Sequence, residues 1–204
     1  MTARTALRGR HPLAVLAVLA AIAAIAATVA AFTLPARSPG QAFPPLVTAA
    51  APAGWPHLTL PDGTAVLSYP PSLRPVSGDA DSVSAAQVSP KGVFRLYLNA
   101  TPRQGDEQLR GWAAFRLRLL TADDAASARE LAAAQDVKFR GGTGSCVIDT
   151  YVTRVGAHHY QEIACLVQGR TSASASVIVA AAPAATWAQA SPLLLRAVAA
   201  YQIR

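Results

Sequence analysis

The chain has 204 residues, 52% of them hydrophobic, with 18 Lys and Arg against 11 Asp and Glu for a formal charge of +7. That charge is unevenly placed: Arg4, Arg8, Arg10 and Arg37 carry four of it, and from His57 onward 14 basic residues face 11 acidic ones. A balance of +3 without a clustered Lys/Arg face excludes a nucleic-acid-binding domain.

Residues 1–12 form a basic N-terminus and residues 13–34 an uncharged apolar run of 22 residues, of which 10 are Ala. As a helix the run reaches about 33 Å, enough for a hydrocarbon core about 30 Å thick. The arginines ahead of it mark the cytoplasmic end, so the expected partner of 13–34 is the lipid bilayer, with the remainder extracytoplasmic. Two readings stay open. The length favours a permanent single-pass anchor; the Ala content and the small-residue site Val29-Ala30-Ala31 favour a cleaved signal and a secreted product. No cysteine lies near the end of the run, which excludes a lipid-modified N-terminus, and there is no twin arginine. Residues 35–56 contain six prolines and no periodic pattern, an extended linker. Residues 57–204 suffice for one extracytoplasmic domain with its own core.

Within that domain, 57–60 and 64–69 flank Pro61-Asp62-Gly63 and form a first hairpin. Residues 82–88 and 93–99 flank Ser89-Pro90-Lys91-Gly92 and form a second, with Phe94, Leu96 and Leu98 expected on one face. Residues 106–120 are helical, with Leu109, Trp112, Ala113, Phe115, Leu119 and Leu120 making a broad apolar arc into which Arg116 falls. A second short helix is expected over 122–134, opened by a capping-box spacing of Thr121 and Asp124. Residues 172–182 form a strand, and Ser191-Pro192 opens a final helix over 193–201. Strands interrupted by helices, with antiparallel neighbours, make an α+β fold: one antiparallel sheet with helices packed on it.

The two cysteines, Cys146 and Cys165, lie beyond the apolar run, where an even count is expected to form a disulfide. Stretches 144–154 and 158–169 are rich in Val, Ile, Thr and Tyr and are centred on Val155-Gly156. Antiparallel pairing about that centre sets Cys146 opposite Cys165. The close approach a disulfide needs suits a non-hydrogen-bonded pair, which requires a four-residue loop at 154–157. The same register puts Cys146, Ile148, Val152, His159, Ile163 and Cys165 on the core face. The other face carries Val147–Ala164, Asp149–Glu162 and Tyr151–Tyr160.

Directly opposed carboxylates repel unless a cation lies between or above them. Asp149 and Glu162, walled by Tyr151 and Tyr160, are therefore the candidate ligand- or cation-binding site, supporting either cation binding or carboxylate-based hydrolysis. The chain itself offers Arg95, Arg116, Arg140 or Arg170 for the same place. Other chemistry lacks a signature. Gly141-Gly142-Thr143-Gly144-Ser145 resembles a phosphate loop but lacks the G-K-[ST] ending and enters a strand. No G-x-S-x-G, S-x-x-K or H-E-x-x-H is present, and adjacent His158 and His159 point to opposite faces. No catalytic residue, cofactor or resident metal is expected.

The opening Trp55-Pro56-His57-Leu58-Thr59-Leu60-Pro61, the helix around Gly111-Trp112-Ala113-Ala114-Phe115 and the closing helix over 193–201 resemble, in their succession, the PsbP-like fold, including the LpqN-type exported domains of actinobacteria. The resemblance implies an α/β/α sandwich and a non-enzymatic accessory or binding domain serving a protein partner, with no catalytic residues. A membrane-tethered or secreted domain of the cell envelope that binds a protein or envelope component is the function expected. It calls for an exposed apolar or aromatic patch on one sheet face or helix end.

Overall fold

The computed structural model describes residues 42–171 and 174–204; the basic stretch 1–12, the apolar run 13–34 and residues 35–41 lie outside them. The elements in chain order are β1 (His57–Thr59), β2 (Ala65–Ser68), β3 (Arg74–Val76), β4 (Val83–Val88), β5 (Phe94–Pro102), α1 (Trp112–Asp123), β6 (Ala125–Phe139), β7 (Gly142–Thr153), β8 (His159–Gly169) and β9 (Ala175–Pro183). A 3₁₀ turn at Ala184–Thr186, α2 (Trp187–Ala199) and β10 (Gln202–Ile203) close the domain. Seven strands pair antiparallel in the order β3-β4-β5-β9-β8-β7-β6, and β1-β2-β10 form a separate three-stranded sheet. No helix among the described residues is long and apolar enough to cross a membrane.

Alternation along the central strands feeds both faces of the large sheet. On one, Leu98, Ile148, Ile163 and Ile178 meet Leu194 and Val198 of α2, with Leu60 and Leu67 of the small sheet in the same cluster. On the other, Val147, Ala164, Leu166, Val177 and Val179 lie under Trp112. The single core face expected for the hairpin is thus two, because α1 covers the second. Trp112 is 2% exposed and donates its indole N–H to the Ala164 carbonyl at 2.9 Å, so its polar atom is satisfied within the apolar contact.

The β7–β8 hairpin keeps the expected register throughout, from Gly142↔Gly169 to Val152↔His159. Its loop spans 154–157, closed by the Thr153 N–H donating to the His158 carbonyl. Cys146 and Cys165 form a disulfide with a Cα–Cα distance of 4.1 Å, the spacing of a non-hydrogen-bonded pair. His159, expected on the core face, is exposed at the hairpin tip.

The helix expected over 122–134 is instead β6, which pairs with β7 along its length. Ala favours helices, but a ladder to a central strand outweighs propensity. The capping residues belong to the previous element: Asp124 is the C-cap of α1, and the Thr121 hydroxyl donates back to the Leu117 and Arg118 carbonyls. The first helix begins at Trp112, not 106. Its N-cap, Gly111, has φ +84°, a left-handed turn that glycine adopts without strain. The last helix begins at Trp187, so Pro192 falls inside it rather than in its first turn, and β10 follows. Strands β3 and β10 are too short for periodicity to register.

The domain also starts earlier than His57. Phe43, Leu46 and Trp55, in the segment read as linker, pack against the core on the α2 face. The Ala49 N–H donates to the Ala199 carbonyl at 3.0 Å and the Thr48 hydroxyl to the Lys138 carbonyl at 2.6 Å.

Candidate functional site

Because successive strand residues alternate, Asp149, Tyr151, Tyr160 and Glu162 emerge on the α1 face, opposite the disulfide. The pairs Asp149↔Glu162 and Tyr151↔Tyr160 stand directly across the hairpin. The two tyrosine rings stack with centroids 5.7 Å apart.

The cation between the acids comes from the chain. Arg116, on α1, sets both Nε and Nη2 at 2.8 Å from Glu162 Oε1. Glu162 is 1% exposed, and burial alone would lower the Arg116 pKa; the charge and hydrogen bond of Glu162 outweigh that and raise it. Asp149 receives no such contact. It is wholly buried, and neither carboxylate oxygen has a hydrogen-bond partner among the described residues. Desolvation first, and the neighbouring Glu162 charge second, push its pKa up to about 8, with Arg116 opposing. The neutral acid is the form such a pocket tolerates. Burial likewise raises Tyr151 above the ordinary phenol range. The four site residues are therefore brought together, with Asp149 sealed beneath and Glu162 and the tyrosines, though largely buried, lining a cleft. Among the described residues, no group of three or more His, Cys, Asp or Glu is placed to hold a metal ion.

That lining belongs to a larger feature. Helix α1 packs mainly against β6 and β7, with Trp112 reaching Val177 and Val179 of β9, and beside it the sheet face over β5 and β9 is hollowed. There lies a cleft of about 800 Å³. Val177, Val179 and Ala181 of β9 line it, as do Tyr97 of β5, Tyr160 of β8 and Tyr151 of β7. The volume falls in the range of small-ligand sites. Phe94 joins this lining with its ring 5.1 Å from Tyr97. That corrects the expected Phe94, Leu96, Leu98 face: a register shift opposite Gln87 and Val88 resets the alternation. Leu96 and Leu98 go to the core, and Phe94 to the cleft.

Sequence reasoning placed Glu162, Tyr151 and Tyr160 here but missed Phe94, Tyr97 and the other acids of the cleft, Asp79, Glu107, Asp123 and Asp124, because they come from segments far apart in the chain. The one available signal was Arg116 inside an apolar arc. His158 also lines the cleft, edge-on to Tyr160 at 6.5 Å. The glycine-rich stretch has a packing explanation. A Cβ on Gly141 would lie 2.0 Å from the Ile203 carbonyl oxygen, and one on Gly142 would lie 2.1 Å from that of Gln168. Close approach of β10 and β8, not a phosphate, accounts for both.

No family model matches this sequence, and no curated protein matches it. Among solved structures, the cyanobacterial PsbP (CyanoP) of Synechocystis is similar at 11% identity, over 76% of this chain and 95% of that one, with a TM-score of 0.52. The Ran-binding protein Mog1p of Saccharomyces cerevisiae shares 15% identity over 72% of this chain and 88% of its own, with a TM-score of 0.46. LpqN of Mycobacterium tuberculosis, involved in cell envelope biogenesis, shares 11% identity over 72% and 89%, with a TM-score of 0.40. The fold is PsbP-like.

Proposed function

We propose that this chain is a non-catalytic accessory domain of the cell envelope, membrane-tethered through 13–34 or secreted after cleavage there, that binds a protein or envelope component through the cleft beside α1. The observation that carries this reading is the cleft beside α1, with aromatic side chains of β5, β7 and β8 around an apolar floor from β9. An apolar, partly enclosed surface of that kind is what partners dock on. The disulfide supports a non-reducing compartment, and the arginines ahead of the apolar run support the same side of the membrane.

The rival reading, a carboxylate-based hydrolase or cation site at Asp149 and Glu162, draws less support. A hydrolytic pair needs both carboxyls at one open cleft, whereas Asp149 is wholly buried and Glu162 already holds Arg116.

The test is a photo-crosslinking residue placed at Tyr97 in intact cells, with Gln189 on the exposed side of α2 as control. A discrete adduct from Tyr97 but not Gln189 is expected. Equal labelling from both positions, or none from Tyr97, overturns the reading. Recovery of the domain from cytosol with both thiols free overturns its exported part.

A further inference from the structure

The cleft concentrates acid in a chain that is basic overall. Five of the 11 carboxylates line it: Asp79, Glu107, Asp123, Asp124 and Glu162. Of the 18 Lys and Arg, three do: Lys91, Arg116 and Arg154. Two of those three are already engaged, Arg116 on Glu162 and Arg154 on the carbonyls of Thr121 and Ala122 at the end of α1. The field in the cleft therefore favours a cation.

A second observation points to a ligand. Glu107, in the loop before α1, is only 6% exposed, and its Oε2 is buried with no hydrogen-bond partner among the described residues. Desolvation raises its pKa against the opposing backbone N–H groups of Gln104 and Glu107 and the Arg103 charge. A buried carboxylate oxygen left open in a binding cleft calls for a donor from the occupant. At the other end, Phe94 and Tyr97 offer ring faces on which a cation gains attraction.

The cleft also has a length. From Phe94 to Thr101, both in its lining, β5 advances seven residues, about 23 Å. Between the two ends the floor is apolar, made by Val177, Val179 and Ala181. A small polyamine sets only a thin methylene chain against such a floor; an extended peptide with apolar side chains on the floor-facing alternate positions, between two basic ones on the same face, fills it.

We propose, resting on the reading of this cleft as the binding surface, that its occupant is an extended basic segment of a partner polypeptide. One Lys or Arg head meets Glu107, a second lies against Phe94 and Tyr97, and intervening apolar side chains cover β9.

The test is calorimetric titration of the disulfide-intact domain at low ionic strength. The probes are an acetylated, amidated heptapeptide with arginine at positions 1 and 7, leucine at 3 and 5 and serine between, its citrulline counterpart, and spermidine. The arginine peptide is expected to bind at least tenfold tighter than either other probe and to weaken steeply with added salt. Glu107→Gln should weaken it fivefold or more. The double change Asp79→Asn and Asp124→Asn, at two exposed positions that leave the fold alone, should weaken it about threefold.

Equal affinity for the citrulline peptide, or indifference to both sets of variants, overturns the proposal. Spermidine binding as tightly as the peptide overturns its polypeptide part. Failure of all three probes while Tyr97 still crosslinks a partner removes the charge inference and leaves the binding surface standing. Failure of the probes together with loss of that crosslink removes both.

Discussion

On the face of the large sheet under α2, the central strands present Leu98, Ile148, Ile163, Ile178 and the Cys146–Cys165 bridge to an apolar layer. The buried polar pair there, Ser176 and Tyr201, is mutually hydrogen bonded at 2.7 Å. On the face under α1 the same strands present an ion pair, an unpartnered acid and two stacked tyrosines, and a cleft opens beside the helix. One face is satisfied and closed; the other holds charge it does not fully neutralise. Proteins keep such imbalance at functional sites, so the contrast sets a closed, stabilising face against the face proposed above to bind.

The largest test of that division is Arg116→Ala. It leaves the Glu162 charge buried without its cation and should cost about 3–5 kcal/mol in denaturant unfolding. A cost below about 1 kcal/mol would mean the pair is better hydrated than its burial implies. Leu194→Ala opens a cavity on the dry face and should cost about 3 kcal/mol while leaving cleft binding of the folded protein unchanged. Loss of binding in that variant would break the separation of the two faces. Replacing Cys146 and Cys165 together by Ala releases a closed span of 19 residues and should lower stability by about 3 kcal/mol on the chain-entropy account.

Smallest per step, though cumulative, is the effect of pH. Asp149 has a folded-state pKa raised to about 8, above the value of about 3.9 for an unfolded chain. Between those values the native state holds the proton and the unfolded state does not. Stability is therefore greatest near the acidic end of the window and falls as pH rises, by up to about 1.4 kcal/mol per pH unit. Asp149→Asn removes that slope, so its advantage over the parent should be small at pH 5 and grow toward pH 8 in melting experiments. A parallel pair of stability curves would show that Asp149 ionises in the folded protein as it does in water.

What was legible in the sequence was local and paired. The hairpin register followed from two cysteines equidistant from a turn signal, and it fixed which residues share the α1 face. Arg116 stood out because a charge inside an apolar arc must meet something. The β6 strand was illegible because Ala and Asp at 122–134 carry a helix signature that only the ladder to β7 overrules. The cleft was illegible for a different reason. Its rings come from β5, β7 and β8, and one of them, Phe94, is turned there by a bulge that alternation cannot foresee. Glu107 in the sequence is one acid among eleven; only burial marks it out.

Strand β6 lies at the border of the large sheet, 15 residues long, a length that would ordinarily invite another molecule to add a strand. Its ladder is broken three times, leaving Ala125 alone and paired runs of 127–130, 132–134 and 137–139, with Asp136 at φ +57° in the last break. The Thr48 hydroxyl already occupies the Lys138 carbonyl along that border. A neighbouring copy finds no continuous template there, so a high concentration of this domain at a surface does not by itself seed cross-strand fibres or edge-to-edge aggregates.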